Sequence, residues 1–182
     1  EVEGSVANLA LASGPGNIDP CGFVPDGGVC RQRGNLDRIR IGGIEGELAY
    51  QSSRYWTGSI SYLFNDNKIT RAPTPSLRGK RLPQVPAHQL VLKLVFSKPS
   101  VLEVSVQWRY VSNQFEDAAN ALALDDFGLV DLSVSRRISV DKVAFFQVEN
   151  LLDASYAVGK SGNGILTIGA PIRLHGSIRL RF

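Results

Sequence analysis

The chain has 182 residues, enough for one sizeable domain, and its 20 basic and 17 acidic residues leave a net charge of +3. Charged residues are mixed along the chain, so the basic tract on which a nucleic-acid surface is built is missing and no nucleic-acid partner is expected. No apolar run reaches about 18 residues, so no transmembrane helix is expected, although membrane-crossing strands carry a much weaker signal.

Apolar and polar residues alternate along most of the chain, with the period of a β-strand that has one apolar and one polar face. A phase slip at Gly42-Gly43 predicts a β-bulge there. The adjacent Phe145 and Phe146 leave the phase of one strand open. In chain order, strands are predicted over 2–12, 36–50, 56–64, 90–96, 102–110, 130–138, 143–150 and 172–182.

The last stretch, 172–182, alternates without a break, and three arginines share its polar side. A soluble sheet would put the apolar side in its core, whereas a membrane barrel turns it towards lipid and the polar side towards a wet lumen. Other predicted strands continue both faces. The charged residues expected on the shared polar face are Glu103, Arg109, Asp131, Arg137, Arg173, Arg179 and Arg181.

Long and short connections alternate strictly between the predicted strands. Long loops are expected over 13–34, 65–87, 113–125 and 151–167, and short turns over 51–54, 97–100 and 139–142. Transmembrane barrels have this asymmetry, with long outer loops and short periplasmic turns. Aromatic residues flank both kinds of connection, as in barrel girdles: Phe64, Trp108 and Tyr110 near long loops, Trp56 and Phe96 near short turns.

Several segments occur together in a familiar order. The stretch 148–156 reads V-E-N-L-L-D-A-S-Y, 169–173 reads G-A-P-I-R, and the chain ends in L-R-F. They resemble the C-terminal end of TonB-dependent outer-membrane receptors, whose pattern is V-x-N-L-x-D-x-x-Y, then G-x-P-R and a terminal Phe. Ile172 stands where the arginine is typical. The segments 43–45, 56–62, 79–88 and 109–117 look similar to the family as well.

The resemblance implies an all-β antiparallel meander of about eight transmembrane strands, part of a barrel of about 22 strands with a plugged lumen. Residues 1–182 would then be a C-terminal portion of the barrel, a fragment without the plug domain or the segment that touches TonB. The implied function is active import of a scarce large solute across the bacterial outer membrane: a ferric siderophore, cobalamin, haem or a glycan. TonB, ExbB and ExbD would drive it through the missing N-terminal region, and the C-terminus would be periplasmic.

Two other architectures stay open at this point. One is a self-contained small outer-membrane barrel with an adhesin or structural role, and the other is a soluble β-sandwich that acts as a binding module. No enzyme activity or cofactor is expected. His88 and His175 lack a nucleophile or metal partner at readable spacing, and there is no G-x-S-x-G elbow.

Three groups of site residues are predicted. Ile178, Leu180 and Phe182 resemble the signal that the barrel-assembly machinery reads. Cys21 and Cys30 are predicted to form a disulfide in the first outer loop, worth about 2–3 kcal/mol, because no further His or Cys lies nearby to complete a zinc site. The loop residues that could contact a transported ligand are Arg78, Lys80, Arg81, Glu116 and Asp117.

Overall fold

The chain is almost wholly extended. The computed structural model describes residues 2–3 and 6–181, except for the side chains of residues 6–8, and the one helix of this part is a 3₁₀ turn at Pro75–Leu77. None of its helices has the length and apolarity needed to cross a membrane. The strands are β1 Val2–Glu3, β2 Val6–Ser13, β3 Gly16–Ile18, β4 Gly22–Val24, β5 Val29–Asn35, β6 Arg38–Gln51, β7 Trp56–Arg71, β8 His88–Lys98, β9 Leu102–Val111, β10 Gln114–Phe115, β11 Ala123–Leu124, β12 Phe127–Ser139, β13 Lys142–Glu149, β14 Ala157–Lys160, β15 Leu166–Ile168 and β16 Arg173–Leu180.

One antiparallel sheet organises the fold. Its eight strands lie in the order β1-β6-β7-β8-β9-β12-β13-β16, so the long strands follow one another in space as they do in the chain. The predicted all-β antiparallel meander is therefore confirmed. Beyond the two-residue β1, β2 pairs with β5, and short hairpins β3–β4, β10–β11 and β14–β15 lie within the connections.

The strand register separates the sheet into two faces, because successive side chains of a strand point to opposite sides. On one, the apolar face, a single row across seven strands consists of Tyr50, Gly58, Leu94, Val106, Leu132, Val148 and Leu174. On the other, the polar face, the adjoining row contains Ala49, Ser59, Lys93, Gln107 and Asp131.

The apolar face has no second layer of described chain packed upon it. Leu94 is 49% exposed and Ile178 is 65% exposed, although both lie within strands. A sandwich would bury such residues between two sheets about 10 Å apart. One face of the sheet is therefore apolar and the other carries charged residues, as expected. The described residues do not form a β-sandwich.

The two ends of the sheet differ in their connections. The short connections 52–55, 99–101 and 140–141 lie at one end, which we call the short-turn end. The connections 72–87, 112–126 and 150–172, together with the tip of the β2–β5 hairpin, lie at the other, the long-loop end. The predicted alternation of long and short connections therefore sorts them onto opposite ends of the sheet.

The predicted bulge at Gly42-Gly43 is wrong. Gly42 lies opposite Asp66 and Gly43 opposite Asn65 in an unbroken register, which shifts instead between Arg38 and Ile39. The apparent phase slip has another cause, namely that Ile39 belongs to the polar face and is buried there by the long loops. The stretch 65–71, expected to be loop, extends β7 to Arg71.

The structure also settles the phase of β13. Phe146 lies opposite Val134 and Gly176 and so belongs to the apolar face. Phe145 belongs to the polar face, where the Arg179 guanidinium carbon lies 4.9 Å from the centre of its ring. The two adjacent phenylalanines therefore lie on opposite faces of the sheet.

The compact hydrophobic core lies at the long-loop end of the sheet. Leu36, Ile39, Ile69, Leu77 and Ala118 form one buried cluster, in which Ile69 is fully buried. Each large aliphatic side chain buried in this way contributes about 1.5–3 kcal/mol. The cluster fastens the connections 72–87 and 112–126 to the outer parts of β6 and β7.

Candidate ligand-binding surface

Asparagine side chains hold the long loops in place. The side-chain oxygen of the buried Asn67 accepts a hydrogen bond from the Leu82 amide at 2.6 Å. Asn120 makes two bonds to the backbone of Arg81, accepting from its amide at 2.8 Å and donating to its carbonyl at 2.9 Å. The connection 72–87 is thereby tied both to β7 and to the connection 112–126.

Three of the five predicted ligand-contacting residues have structural partners. The Arg81 guanidinium carbon lies 5.6 Å from the centre of the Phe115 ring. Glu116 accepts a hydrogen bond from the Gln84 side chain at 2.9 Å. One carboxylate oxygen of Asp117 accepts from two backbone amides of its own loop, at 2.9 and 2.8 Å. Arg81 and Glu116 thus connect two loops, Asp117 stabilises its own loop, and all three residues are half-buried.

The other two predicted residues, Arg78 and Lys80, are exposed at the long-loop end. Their backbones are fixed, since the Arg78 amide donates to Pro75 and the Lys80 carbonyl accepts from Ile69. Their side chains make no hydrogen bond or ion pair with any residue that the structure describes. They are therefore cations held at defined positions on the loop surface.

The two cysteines lie in the first hairpin of the long-loop end. Cys21 and Cys30 are joined by a disulfide with their Cα atoms 5.7 Å apart, and Cys30 is buried. The bond connects the turn between β3 and β4 to strand β5. The tip of this loop is consequently closed by a covalent link.

A cleft of about 430 Å³ opens among the long loops. The β2–β5 hairpin, the 3₁₀ turn and the connection 112–126 form its walls. Its apolar lining includes Leu9, Ala10, Leu77, Ala118, Ala121 and Leu122. Arg31 and Asp117 are the charged residues that line it, and Asp117 is already engaged by backbone amides.

Below the loops, a second hollow of about 240 Å³ lies on the polar face. Arg109, Asp131 and Gln147 line it from the strands. At its edge Glu149 forms an ion pair with Arg173, 2.5 Å apart, and lies 3.8 Å from the His175 ring nitrogen. The register places the predicted charged row on this one face: Glu103, Arg109, Asp131, Arg137, Arg173 and Arg179.

The stretch 148–156 forms the rim of that hollow through a side-chain clamp. Asn150 is 3% exposed, its amide group donates to the carbonyls of Ala154 and Ala170, and its oxygen accepts from the Ala154 amide. Asp153 accepts from the Ile172 amide at 3.0 Å. These bonds close the whole connection between β13 and β16 upon itself.

Tyr156 completes the clamp. Its ring lies 4.5 Å from the centre of the Phe127 ring and covers Gly169, where a Cβ atom would collide with it. The glycine is thus required by the close approach of an aromatic ring. Sequence reasoning noted these residues as a pattern but missed the clamp, because Ala170 and Ile172 lie about 20 residues away from their partners.

Two of the three predicted assembly residues, Ile178 and Leu180, belong to the edge strand β16. Ile178 and Leu180 are 65% and 49% exposed on the apolar face, while Phe182 lies outside the described residues. In the described sheet β16 pairs with β13 alone, so its outer edge is open. Ile178 lies opposite Ala144 and Leu180 opposite Lys142.

Neither histidine lies in a cluster of metal-ligating residues within the described chain. Residues 2–3 and 6–181 contain no group of three or more His, Cys, Asp or Glu that could hold a metal ion. The ring nitrogen of His88 is hydrogen-bonded to the Tyr62 hydroxyl at 2.8 Å on the apolar face.

Comparison with known proteins gives one family. A model described as the TonB dependent receptor-like β-barrel matches residues 9–151 of the chain. No curated protein matches the chain in sequence.

Solved structures share the fold at low identity. The siderophore receptor PiuA from Acinetobacter baumannii gives a TM-score of 0.69 at 17% identity, covering 90% of this chain and 23% of that one. The ferric yersiniabactin uptake receptor FyuA from Yersinia pestis gives 0.70 at 17%, covering 79% and 24%. The copper transporter OprC gives 0.70 at 21%, covering 84% and 24%. This chain thus spans about a quarter of the length of these structures.

Proposed function

Because this chain belongs to the TonB dependent receptor-like β-barrel family, we propose that it forms wall strands and outer loops of an outer-membrane active transporter. The family is one of receptors and transporters, not of enzymes. One observation carries the proposal: a continuous apolar face on a single uncovered sheet, with every long loop gathered at the same end.

The apolar face suits contact with the hydrocarbon layer, and the polar face suits an enclosed aqueous interior. A tilted strand crosses the membrane with about 9–11 residues, which matches the distance along β7 from Trp56 to Phe64. Aromatic side chains mark both ends of that span. The Trp56 and Phe96 rings lie 5.0 Å apart at the short-turn end, and Trp108 stacks on Tyr110 at 6.1 Å near the long loops. We assign the short-turn end, and with it the C-terminus, to the periplasm.

The open sheet supports a barrel larger than eight strands. β1 and β16 are the two edges of the described sheet and share no register with each other, as closure of a small barrel would require. We propose that residues 1–182 form a C-terminal portion of the barrel, and that the plug and the TonB-contacting segment lie outside this chain. This disfavours the alternative of a self-contained small barrel with an adhesin role.

The transported solute belongs to the scarce, large solutes for which active import is worthwhile: a ferric siderophore, cobalamin, haem or a glycan. Exposed Arg78 and Lys80 and the cleft residue Arg31 favour an anionic complex, so a ferric siderophore is our first choice. TonB, ExbB and ExbD would supply energy through the region outside this chain. The barrel-assembly machinery would recognise Ile178 and Leu180 of the edge strand together with Phe182.

Uptake measurements test transport directly. A strain lacking the gene should fail to accumulate one radiolabelled solute from a panel of ferric siderophores, haem, cobalamin and oligosaccharides. The same loss should follow from deleting tonB. Uptake that persists without TonB, or a mutant that accumulates every solute normally, would show that the proposed function is wrong.

A pair of variants connects that activity to the loop surface. Replacing Arg78 and Lys80 by Gln should raise the Kd for an anionic solute by about tenfold, since a charge-assisted contact contributes about 1.5–3 kcal/mol at most and these are exposed. Arg40 and Lys68 offer a matched control, because both lie at the same end but form ion pairs with Asp66 at 3.2 Å. Their replacement by Gln should leave solute binding unchanged.

A further inference from the structure

Basic residues border the apolar face at the short-turn end of the sheet. Four successive rows of that face, from the row of Tyr62 to the row of Trp56, contain no charged residue. Basic residues follow just beyond these rows on the same face: Lys98 comes two residues after Phe96 on β8, and Arg136 lies on β12, with β9 between the two strands. Lys142, also on this face, begins β13. All three lie where the strands reach their short turns.

The structure arranges these cations in two pairs. In the first, Arg54 and Lys98 approach the same aromatic ring, with the guanidinium carbon 4.5 Å and the ammonium nitrogen 5.8 Å from the centre of Tyr55. In the second, Arg136 lies opposite Ala144, so Lys142 is its diagonal neighbour on the same face. Diagonal neighbours lie about 7–8 Å apart, within reach of long side chains. The two cations of either pair are therefore close enough to bind the same phosphate group.

Acidic residues do not neutralise these cations in the described part of the chain. Asp141, in the turn before Lys142, is exposed and forms no ion pair with either basic neighbour. Glu103 lies on the polar face and accepts a hydrogen bond from Ser97. The four cations, which we call the basic belt, are thus uncompensated at the boundary between apolar rows and water.

We infer that the basic belt binds the phosphate groups of anionic phospholipids in the leaflet at the short-turn end. This inference rests on the proposed orientation of the apolar face towards lipid. Long basic side chains bury their stems in apolar surroundings and extend their charges to the interface. Phospholipid is favoured over free phosphate because the row above the belt offers the exposed Phe146 and the half-buried Val134 as an apolar surface for acyl chains.

The opposite side of the same strands provides a matched control. Arg137 and Arg179 lie at the same end of the sheet, on β12 and β16, each opposite Val143. They belong to the polar face, so the sheet itself separates them from the lipid. Removing their charges changes the net charge as much as removing Arg136 and Lys142 does.

The test measures lipid binding by the full-length receptor that contains this chain. The purified protein in detergent is titrated with phosphatidylglycerol, and with phosphatidylcholine of the same acyl chains, and bound lipids are counted by native mass spectrometry. The Arg136→Gln, Lys142→Gln variant should bind one phosphatidylglycerol about 25-fold more weakly, from about fivefold per cation. Phosphatidylcholine binding should not change. The Arg137→Gln, Arg179→Gln control should bind both lipids as the wild type does.

Folding of each variant is checked by the heat-dependent gel mobility of the barrel. A second variant keeps the inference testable if the first does not fold. Arg54→Gln with Lys98→Gln should independently weaken the other phosphatidylglycerol site by a similar factor. Equal loss in the polar-face control, or no loss in either belt variant, would overturn the inference while leaving transport untouched. Wild-type receptor that binds neither lipid would overturn it together with the proposed orientation, a result that uptake data would then examine separately.

Discussion

Individual asparagines fix the loops of this protein. Asn67, Asn120 and Asn150 each bond backbone groups of another segment or of a distant part of their own loop. Asn120 and Asn150 also have positive φ angles of 57° and 51°, a conformation that asparagine tolerates better than most residues. One side chain thus both permits the turn and satisfies the backbone groups that the turn exposes.

Among these three asparagines, replacing Asn150 should destabilise its loop the most. In Asn150→Ala the clamp loses three hydrogen bonds and a strained φ remains, so opening of the connection 150–172 should become easier by about 2–3 kcal/mol. Trypsin should then cleave after Lys160 roughly 30- to 150-fold faster, because cleavage follows the population of the open loop. Asn113→Ala, in an exposed loop position, should be cleaved at the wild-type rate. Equal rates in both variants would show that the clamp does not hold the loop.

Sequence reasoning at the residue scale identified positions better than roles. The stretch 148–156 stood out as a pattern, yet its role depends on Ala170 and Ile172, which the fold brings close. Arg81 and Asp117 were interpreted as ligand contacts because charged loop residues usually face solvent. In the structure, Asn120 of the neighbouring loop binds the Arg81 backbone, and the Asp117 carboxylate accepts hydrogen bonds from amides of its own loop. No local pattern in the sequence indicates these partners.

Elements were predictable where both faces of a strand have a uniform environment. The alternation along β8, β9 and β12 gave the correct faces because each face meets one medium along the whole strand. The prediction of a bulge failed on β6, where loops cover the polar face at its outer part and make apolar residues such as Ile39 suitable there. The short hairpins within the loops also escaped prediction, since polar pairing outside the sheet leaves no apolar period.

The loop cluster can be tested through Ile69, which is fully buried between β6 and the connection 72–87. Ile69→Ala should cost about 2–5 kcal/mol of local stability. Hydrogen exchange at the Gly79 amide, which donates to the Ile69 carbonyl at 2.8 Å, should accelerate by at least about 30-fold. Ile41→Ala serves as control, because Ile41 is 48% exposed, and it should change this exchange by less than about fivefold. Similar acceleration in both would contradict a cluster centred on Ile69.

At the scale of the whole molecule, the protein is arranged the reverse of a soluble one. Among the described residues the buried cluster lies at the long-loop end, and most of the large apolar face of the sheet is exposed. Such a surface is stable in water only if something apolar covers it. Hydrocarbon on that side and an aqueous interior on the other satisfy both faces at once, as in transmembrane barrels. The proposed transport function requires that the apolar face contact lipid and the polar face contact water.

Spin labels along β8 test that assignment most directly. Single cysteines at positions 90 to 95 of the full-length receptor, labelled and placed in lipid bilayers, report contact with oxygen, which concentrates in hydrocarbon, and with a nickel complex, which stays in water. We predict oxygen contact at Leu90, Leu92 and Leu94, and nickel contact at Val91, Lys93 and Val95. The reverse pattern, or equal nickel contact at all six positions, would contradict the account.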